Sequence, residues 1–298
     1  MKNNADIQTV QAPPSLYQNR HRHRTFDNVM RVLIWASAAI TVAVLVVIIL
    51  YILINGLPHV SIQFITDIYE QSGSRKGILP MIINTLYMIL LTLIISVPIG
   101  IATAIYLTQY AKQGRLVKII RFTTEILSGI PSIIYGLFGM TFFVIFMKLG
   151  ISILAGALTL SIMILPTIIR TVEEALKSVP KQYKEGALAL GAGKFRVVMG
   201  IVLPCAMPGV LTAVILAIGR IVGESAALIF TAGMVYKMPT DFFRHIFSSG
   251  RTLTVHLYQT AMLGDPLGSV FATASVLLII VFLLNRLANL MTRLFKKD

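Results

Sequence analysis

The sequence predicts an all-α fold, a polytopic membrane helix bundle with six transmembrane helices. Three observations predict it. Of 298 residues, 56% are hydrophobic and 13% charged, about half the charge content of an ordinary soluble domain. Apolar stretches recur at 32–54, 78–108, 119–147, 149–169, 205–230 and 267–290. Each can cross a hydrocarbon core about 30 Å thick at about 1.5 Å per residue. The basic residues fall in alternate connections. Such long, unalternating apolar runs exclude a β-barrel, and a mean hydropathy of +0.81 excludes disorder.

Residues 1–31 form a polar, basic tail with Pro13, Pro14 and the run Arg20-His-Arg-His-Arg24. The uncharged stretch 32–54 is too long for a signal-peptide core, so it reads as an uncleaved first span. The tail, the 109–121 loop, the 170–203 loop and the C-terminal segment together hold 19 of the 26 Lys and Arg residues; six lie in the alternate segments, and Arg220 lies within a span. This bias places both termini in the cytoplasm, with 32–290 as the membrane domain and 291–298 as a second cytoplasmic tail. The formal charge of +14 is therefore read as a topology signal and not as a nucleic-acid footprint. A lone Cys205 allows no intramolecular disulfide, and the five histidines show no zinc-ligand spacing, so no metal site is expected.

Residues 170–203 are too long for a turn. Thr171–Leu176 (TVEEAL) and Gln182–Leu190 (QYKEGALAL) have helix-forming composition. Ser178-Val179-Pro180 breaks the helix between them, and Gly191-Ala192-Gly193 reads as a C-cap. The expectation is two short helices with an elbow, the second carrying a small apolar face of Gly186, Ala187, Ala189 and Leu190. Such a face suits either a groove on a partner protein or the inner leaflet, and composition alone does not choose.

Arg220 and Glu224 are charges inside the 205–230 span. At i, i+4 they are expected on one helix face, beside the close-packing pair Gly219 and Gly223. Mid-membrane charges cost about 2.5–3.5 kcal/mol each on insertion scales and normally face a bundle interior or a wet path. An Arg suits an anion, and a nearby Glu keeps the anion from binding too tightly. The same pair could instead brace two helices. Asn84 and Thr85, near the start of the second span, are further path candidates or helix–helix hydrogen bonds. Pro131, with Gly129 and Gly136, could kink the third span, and Glu125 is expected to pair with Arg121 at i−4.

Six residues match the spacing E-A-A-x3-G-x9-I-x-L-P: Glu185, Ala187, Gly191, Ile201, Leu203 and Pro204, with Gly186 where the pattern has Ala. On these residues the segment resembles the EAA loop of ABC-importer permeases. Glu125–Gly139, Arg170–Leu176, Ala189–Ala192 and Gly219–Ala226 are similar to the phosphate-import permeases of that class, a likeness that covers most of 24–290. The resemblance implies the type I ABC importer (MetI-like) permease fold. It implies import of inorganic phosphate together with a second permease subunit, an ATPase subunit dimer and an extracytoplasmic phosphate-binding protein. It also implies that the second short helix is a coupling helix, so Glu185, Gly186, Ala187, Leu188, Gly191 and Ala192 are assigned to contact with the ATPase.

The chain has no P-loop of its own, because Leu188 and Phe195 stand where G-x4-G-K-[ST] needs Gly and Ser/Thr. No cofactor is expected on it; ATP and Mg belong on the partner ATPase. The expected location is a bacterial cytoplasmic membrane. A permease for another small solute would share the EAA-like loop. An intramembrane enzyme would need a catalytic His, Lys or Asp deep in a span, and a secondary transporter would need acidic relays in several helices.

Overall fold

A computed structural model describes residues 15–69, 77–112, 114–239 and 241–295, and the side chains of residues 26–290 within these except that of Phe242. The tails 1–14 and 296–298, and Arg75 and Lys76 between the first two spans, lie outside the described residues. Contacts divide the chain into two units, Met1–Ile54 and Asn55–Asp298. Helix α1 (Ser15–Gly56) supplies the first span. It begins before the expected boundary at 31, because nothing between Ser15 and Arg31 breaks a helix. The second unit holds α2 (Ile62–Thr66), α3 (Leu79–Ile105), α4 (Arg115–Gly129), α5 (Ser132–Gly139), α6 (Ile153–Ser178), α7 (Lys181–Ala189), α8 (Lys194–Val197), α9 (Leu203–Gly223), α10 (Ala226–Thr231), α11 (Phe242–His245), α12 (Leu253–Leu263) and α13 (Leu267–Phe295). Among the described residues the only extended pairing is an isolated bridge residue at Tyr69.

Three spans run longer than their apolar cores. A π-helical turn, Tyr106–Tyr110, extends α3. α6 does not stop at 169 but carries Thr171–Leu176 as its last turns, so the expected first short helix belongs to the span. α8 and a second π turn, Val198–Val202, lead into α9, so this span starts at Lys194 and not at 205. It ends at Gly223, where Glu224 turns extended, short of the expected 230.

The span 119–147, where Pro131 offered a kink, departs most from a single helix. α4 and the segment formed by α5 and its π-helical continuation Met140–Phe146 meet at 103°. Proline causes the break: it has no N–H to continue the ladder, and it holds the preceding Ile130 extended (φ −72°, ψ 129°). The Tyr135 hydroxyl crosses the elbow and donates to the Leu127 carbonyl at 2.7 Å, which also accepts from the Ile130 amide, so the carbonyl next to the break is doubly satisfied.

Side-chain register shows that the bent pair still crosses once. Ser161 reaches the Thr92 carbonyl, Gly156 lies against Met88, and Gly100 lies against Ile168. Sequence number rises together along α3 and α6, so the two run parallel and the chain between them must return to its starting end. Val117 on α4 packs with Leu107 and Ile169 at one end of the bundle, and Ser152 beyond the bend bonds the Thr231 carbonyl at the other. With α1 the count among the described residues is six.

Small residues bring the helices together, as expected where lipid removes the hydrophobic drive between them. A side chain at Gly209 would overlap Ala175, and one at Gly136 would strike the Ala227 backbone. Ala157, Ala213 and Ala217 are fully buried along the same seam. Buried hydroxyls of Thr85, Ser96, Thr159, Ser161 and Thr231 donate to carbonyls four residues back, whereas the buried Thr92 hydroxyl has no partner.

Candidate functional site

Two interrupted spans lie side by side. The bend before α5 faces the break between α9 and α10, with Gly136 against Ala227 at their contact. Arg220 stands in the last turn of α9, half-buried, where the helix dipole favours a cation. Its guanidinium is within electrostatic reach of the Tyr135 phenol. Glu224 is also half-buried, but it has left the helix (φ −82°, ψ 127°). Its Oε1 accepts from the Ala227 amide at 3.0 Å and so caps the start of α10. The expected common helix face is therefore absent, because the helix ends one residue before Glu224. Among the described residues no ion pair joins the two. A Cβ placed on Gly219 or Gly223 would meet nothing within 4 Å, so this side of α9 is open for a neighbouring helix.

Asn84 is fully buried and Thr85 nearly so, and both are spent on the segment after α11. Asn84 Nδ2 donates to the Arg251 carbonyl at 3.1 Å, and its Oδ1 lies 2.7 Å from His245 Nε2. Thr85 accepts from the Leu253 amide at 2.9 Å. The same segment caps α6: the Ile153 and Leu154 amides donate to the carbonyls of Ser248 and Ile246.

Behind this clasp lies a buried polar group that linear reading missed. Arg251 donates from Nε to the Met234 carbonyl at 2.7 Å and lies 3.3 Å from His256 Nδ1. Its guanidinium sits 5.7 Å and 5.2 Å from the ring centres of Tyr69 and Tyr236. Burial, and secondly the Arg251 charge, push His256 down to about 3, so it stays neutral beside the cation. Burial also lowers His245 and raises Tyr69. These residues come from the α2–α3, α10–α11 and α11–α12 connections and from α11 and α12, and share no spacing, so no sequence signal links them.

At the opposite, Lys/Arg-rich end, α7 stands with none of its residues buried. It ends in a Schellman motif: the Ala192 amide bonds the Ala187 carbonyl, and the Gly191 amide bonds Leu188, with Gly191 at φ +84°. Of the six residues assigned to coupling, Glu185, Gly186, Leu188 and Gly191 are exposed, whereas Ala187 and Ala192 rest against the core. Tyr183, Leu190 and Phe195 stand out as large exposed apolar side chains, Leu190 at 91%. Lys184 Nζ donates to Gln109 Oε1 at 2.9 Å and so ties α7 to the end of the second span.

The expected Arg121–Glu125 pair is replaced. Arg121 and Lys177 both reach Glu173 Oε1 at 2.6 Å, while Glu125 lies 3.9 Å from Arg170. Glu173 is buried and needs counter-charge, whereas the exposed Glu125 gains little from a partner.

Comparison with known proteins agrees with the fold. The family model described as "Binding-protein-dependent transport system inner membrane component" matches residues 96–297. The probable ABC transporter permease protein YqgI of Bacillus subtilis is 36% identical over 87% of this chain and 93% of its own length. The phosphate transport system permease protein PstA of Haemophilus influenzae is 32% identical over 91% and 94%. An inward-facing structure of the MetNI methionine ABC transporter shares the fold with a TM-score of 0.58, at 21% identity over 74% of this chain and 94% of that one.

Proposed function

The chain belongs to the family of binding-protein-dependent transport system inner membrane components, and on that premise we propose that it is the membrane-spanning permease subunit of an ATP-driven phosphate importer. Family membership makes it a multi-pass ABC-importer permease of the MetI-like fold, which works with an ATPase and a solute-binding protein. The finer reading supplies identities. The partners are a PstC-like second permease, a PstB-like ATPase dimer that holds ATP and Mg, and an extracytoplasmic PstS-like protein that delivers phosphate. Both termini face the cytoplasm of a bacterial cell.

The observation that carries the transport reading is α7, a short helix with an exposed apolar face outside the bundle and a rigid cap behind it. Such a helix fits a cleft in a partner. Its movement on ATP hydrolysis would pass to the bundle through Ala187 and Ala192, which rest on the core, and through the Lys184–Gln109 bond to the second span.

Phosphate is supported by the likeness to PstA and by Arg220, whose planar fork matches phosphate oxygens in two places at once. Arg220 stands beside the open face of Gly219 and Gly223, where a second permease would complete the path. Glu224 keeps a negative charge nearby, which weakens the hold on the anion and lets it leave. Asn84 and Thr85 act by holding the far-end segment over the bundle and not by touching the anion.

The test is ATP-dependent uptake of labelled phosphate by the complex reconstituted in liposomes, with sulfate and methionine as competitors. Phosphate uptake resistant to both is expected. Likeness to YqgI, whose name gives no solute, supports a second reading as a permease for another small solute. Uptake of such a solute with phosphate excluded would establish that reading instead.

A further inference from the structure

The Lys/Arg-rich end holds a second constellation, remote from Arg220. A cavity of about 200 Å³ opens between the end of the second span, α4, the end of α6 and the start of α7. Arg121, Lys177, Lys181 and Lys184 line it, with Gln109 and Thr108. One buried carboxylate, Glu173, serves two of these four cations. Lys184 bonds only a neutral amide oxygen, and among the described residues no carboxylate pairs with Lys184 or Lys181. Arg121 keeps a buried Nε–H with no acceptor. The cavity wall also includes Val179, Pro180 and Lys181, the start of α7, whose N-terminus carries no side-chain cap. Its free amides and the positive end of its dipole add to the same field.

This is a concave site with surplus positive charge and unspent donors of three kinds: ammonium, guanidinium and backbone amide. A phosphate-type oxyanion satisfies all three, because its oxygens accept several charge-assisted bonds at once. We propose that the cavity binds such an oxyanion, either free inorganic phosphate or the headgroup of an anionic phospholipid. The bound anion fastens α7 to the ends of the second span and α6, because Lys181 and Lys184 belong to α7, whereas Lys177 and Gln109 belong to those ends. The site stands independently of which solute the chain transports.

Two arms separate the sources. In the first, the full chain in phosphatidylcholine nanodiscs is titrated with inorganic phosphate at low ionic strength and followed by phosphorus NMR. In the second, the chain is purified from phosphatidylglycerol bilayers, and retained lipid is counted by native mass spectrometry. Each arm compares the wild type with Lys181→Gln/Lys184→Gln, with Lys181→Arg/Lys184→Arg, and with a charge-matched control far from the cavity, Lys148→Gln/Lys237→Gln. Saturable phosphate binding, weakened at least about ten-fold only in the Gln pair at 181 and 184, assigns the free anion. Retention of phosphatidylglycerol lost only in that pair assigns the headgroup. The Arg pair keeps the charge and should keep binding. If neither probe distinguishes the Gln pair from its control, or if the cavity becomes protected only when the ATPase is added, the anion site is refuted and the cations are a partner contact.

Discussion

Arg220 and Glu224 were close in sequence but have different work in space, and this sets what charge removal should do. Glu224 caps α10 through Ala227, a bond that Gln can also make, so Glu224→Gln should retain assembly and reduce uptake only mildly. Arg220→Gln should cut phosphate uptake at least ten-fold, about 1.4 kcal/mol of lost stabilisation, with normal amounts of protein in the membrane. The double Gln variant should stay as inactive as Arg220→Gln, since no ion pair is there to be relieved. Restored uptake in the double variant would make the two charges a structural brace. His256 gives a second residue-scale outcome. Its folded value of about 3 lies below the ordinary 6.5, so on acidification the unfolded chain takes the proton first. The stability this group contributes is full above about pH 6.5 and drains as pH falls towards 3. His256→Asn keeps an acceptor for Arg251 without titrating. The fall in melting temperature between pH 7 and about pH 4 should therefore be shallower in the variant, as read by scanning fluorimetry in detergent. Equal slopes would exclude His256 as the source.

Among elements, α7 is the one whose form follows most directly from its residues. Pro180 starts it, Gly191 stops it, and the left-handed φ of +84° at Gly191 explains why a residue without a Cβ stands there. Glu185→Ala with Gly191→Arg should leave the protein in the membrane but abolish co-purification of the ATPase, because the cap loses its geometry and a long cation enters the docking face. Undiminished ATPase recovery and uptake would make α7 a lipid-facing helix. Gly186 offers the converse. Nothing lies within 4 Å of a Cβ there, so Gly186→Ala should stiffen α7 by up to about 1 kcal/mol without a clash. The bent pair was less legible. Pro131 marked a kink in the sequence, but its 103° angle depends on Tyr135 bridging to Leu127 and on α5 lying against α10.

At the scale of the molecule, the parallel run of α3 and α6 requires the bent pair to carry the chain across the membrane once. Reporter fusions after residues 114 and 150 should therefore signal opposite sides, 114 inside and 150 outside, with 185 inside and 264 outside. Matching signals at 114 and 150 would make the pair a re-entrant loop and leave five spans.

The sequence by itself determined the class of the protein, the positions of its spans and the short helix α7 with its glycine stop. Each rests on a local property: hydropathy over a window, charge in a connection, or glycine and proline at fixed offsets. Span ends were less legible, since helices such as α6 continue past the apolar run as long as nothing breaks them. Only the tertiary structure decided which charges meet. Arg121 passes over Glu125 for Glu173 because burial, not spacing, sets the need for a counter-charge. It also decided that Glu224 caps a helix, that Asn84 and Thr85 hold a distant segment, and that Arg251 lies among two tyrosines and His256. Those partners are brought together by the packing of small residues between helices, a long-range condition that no local pattern records.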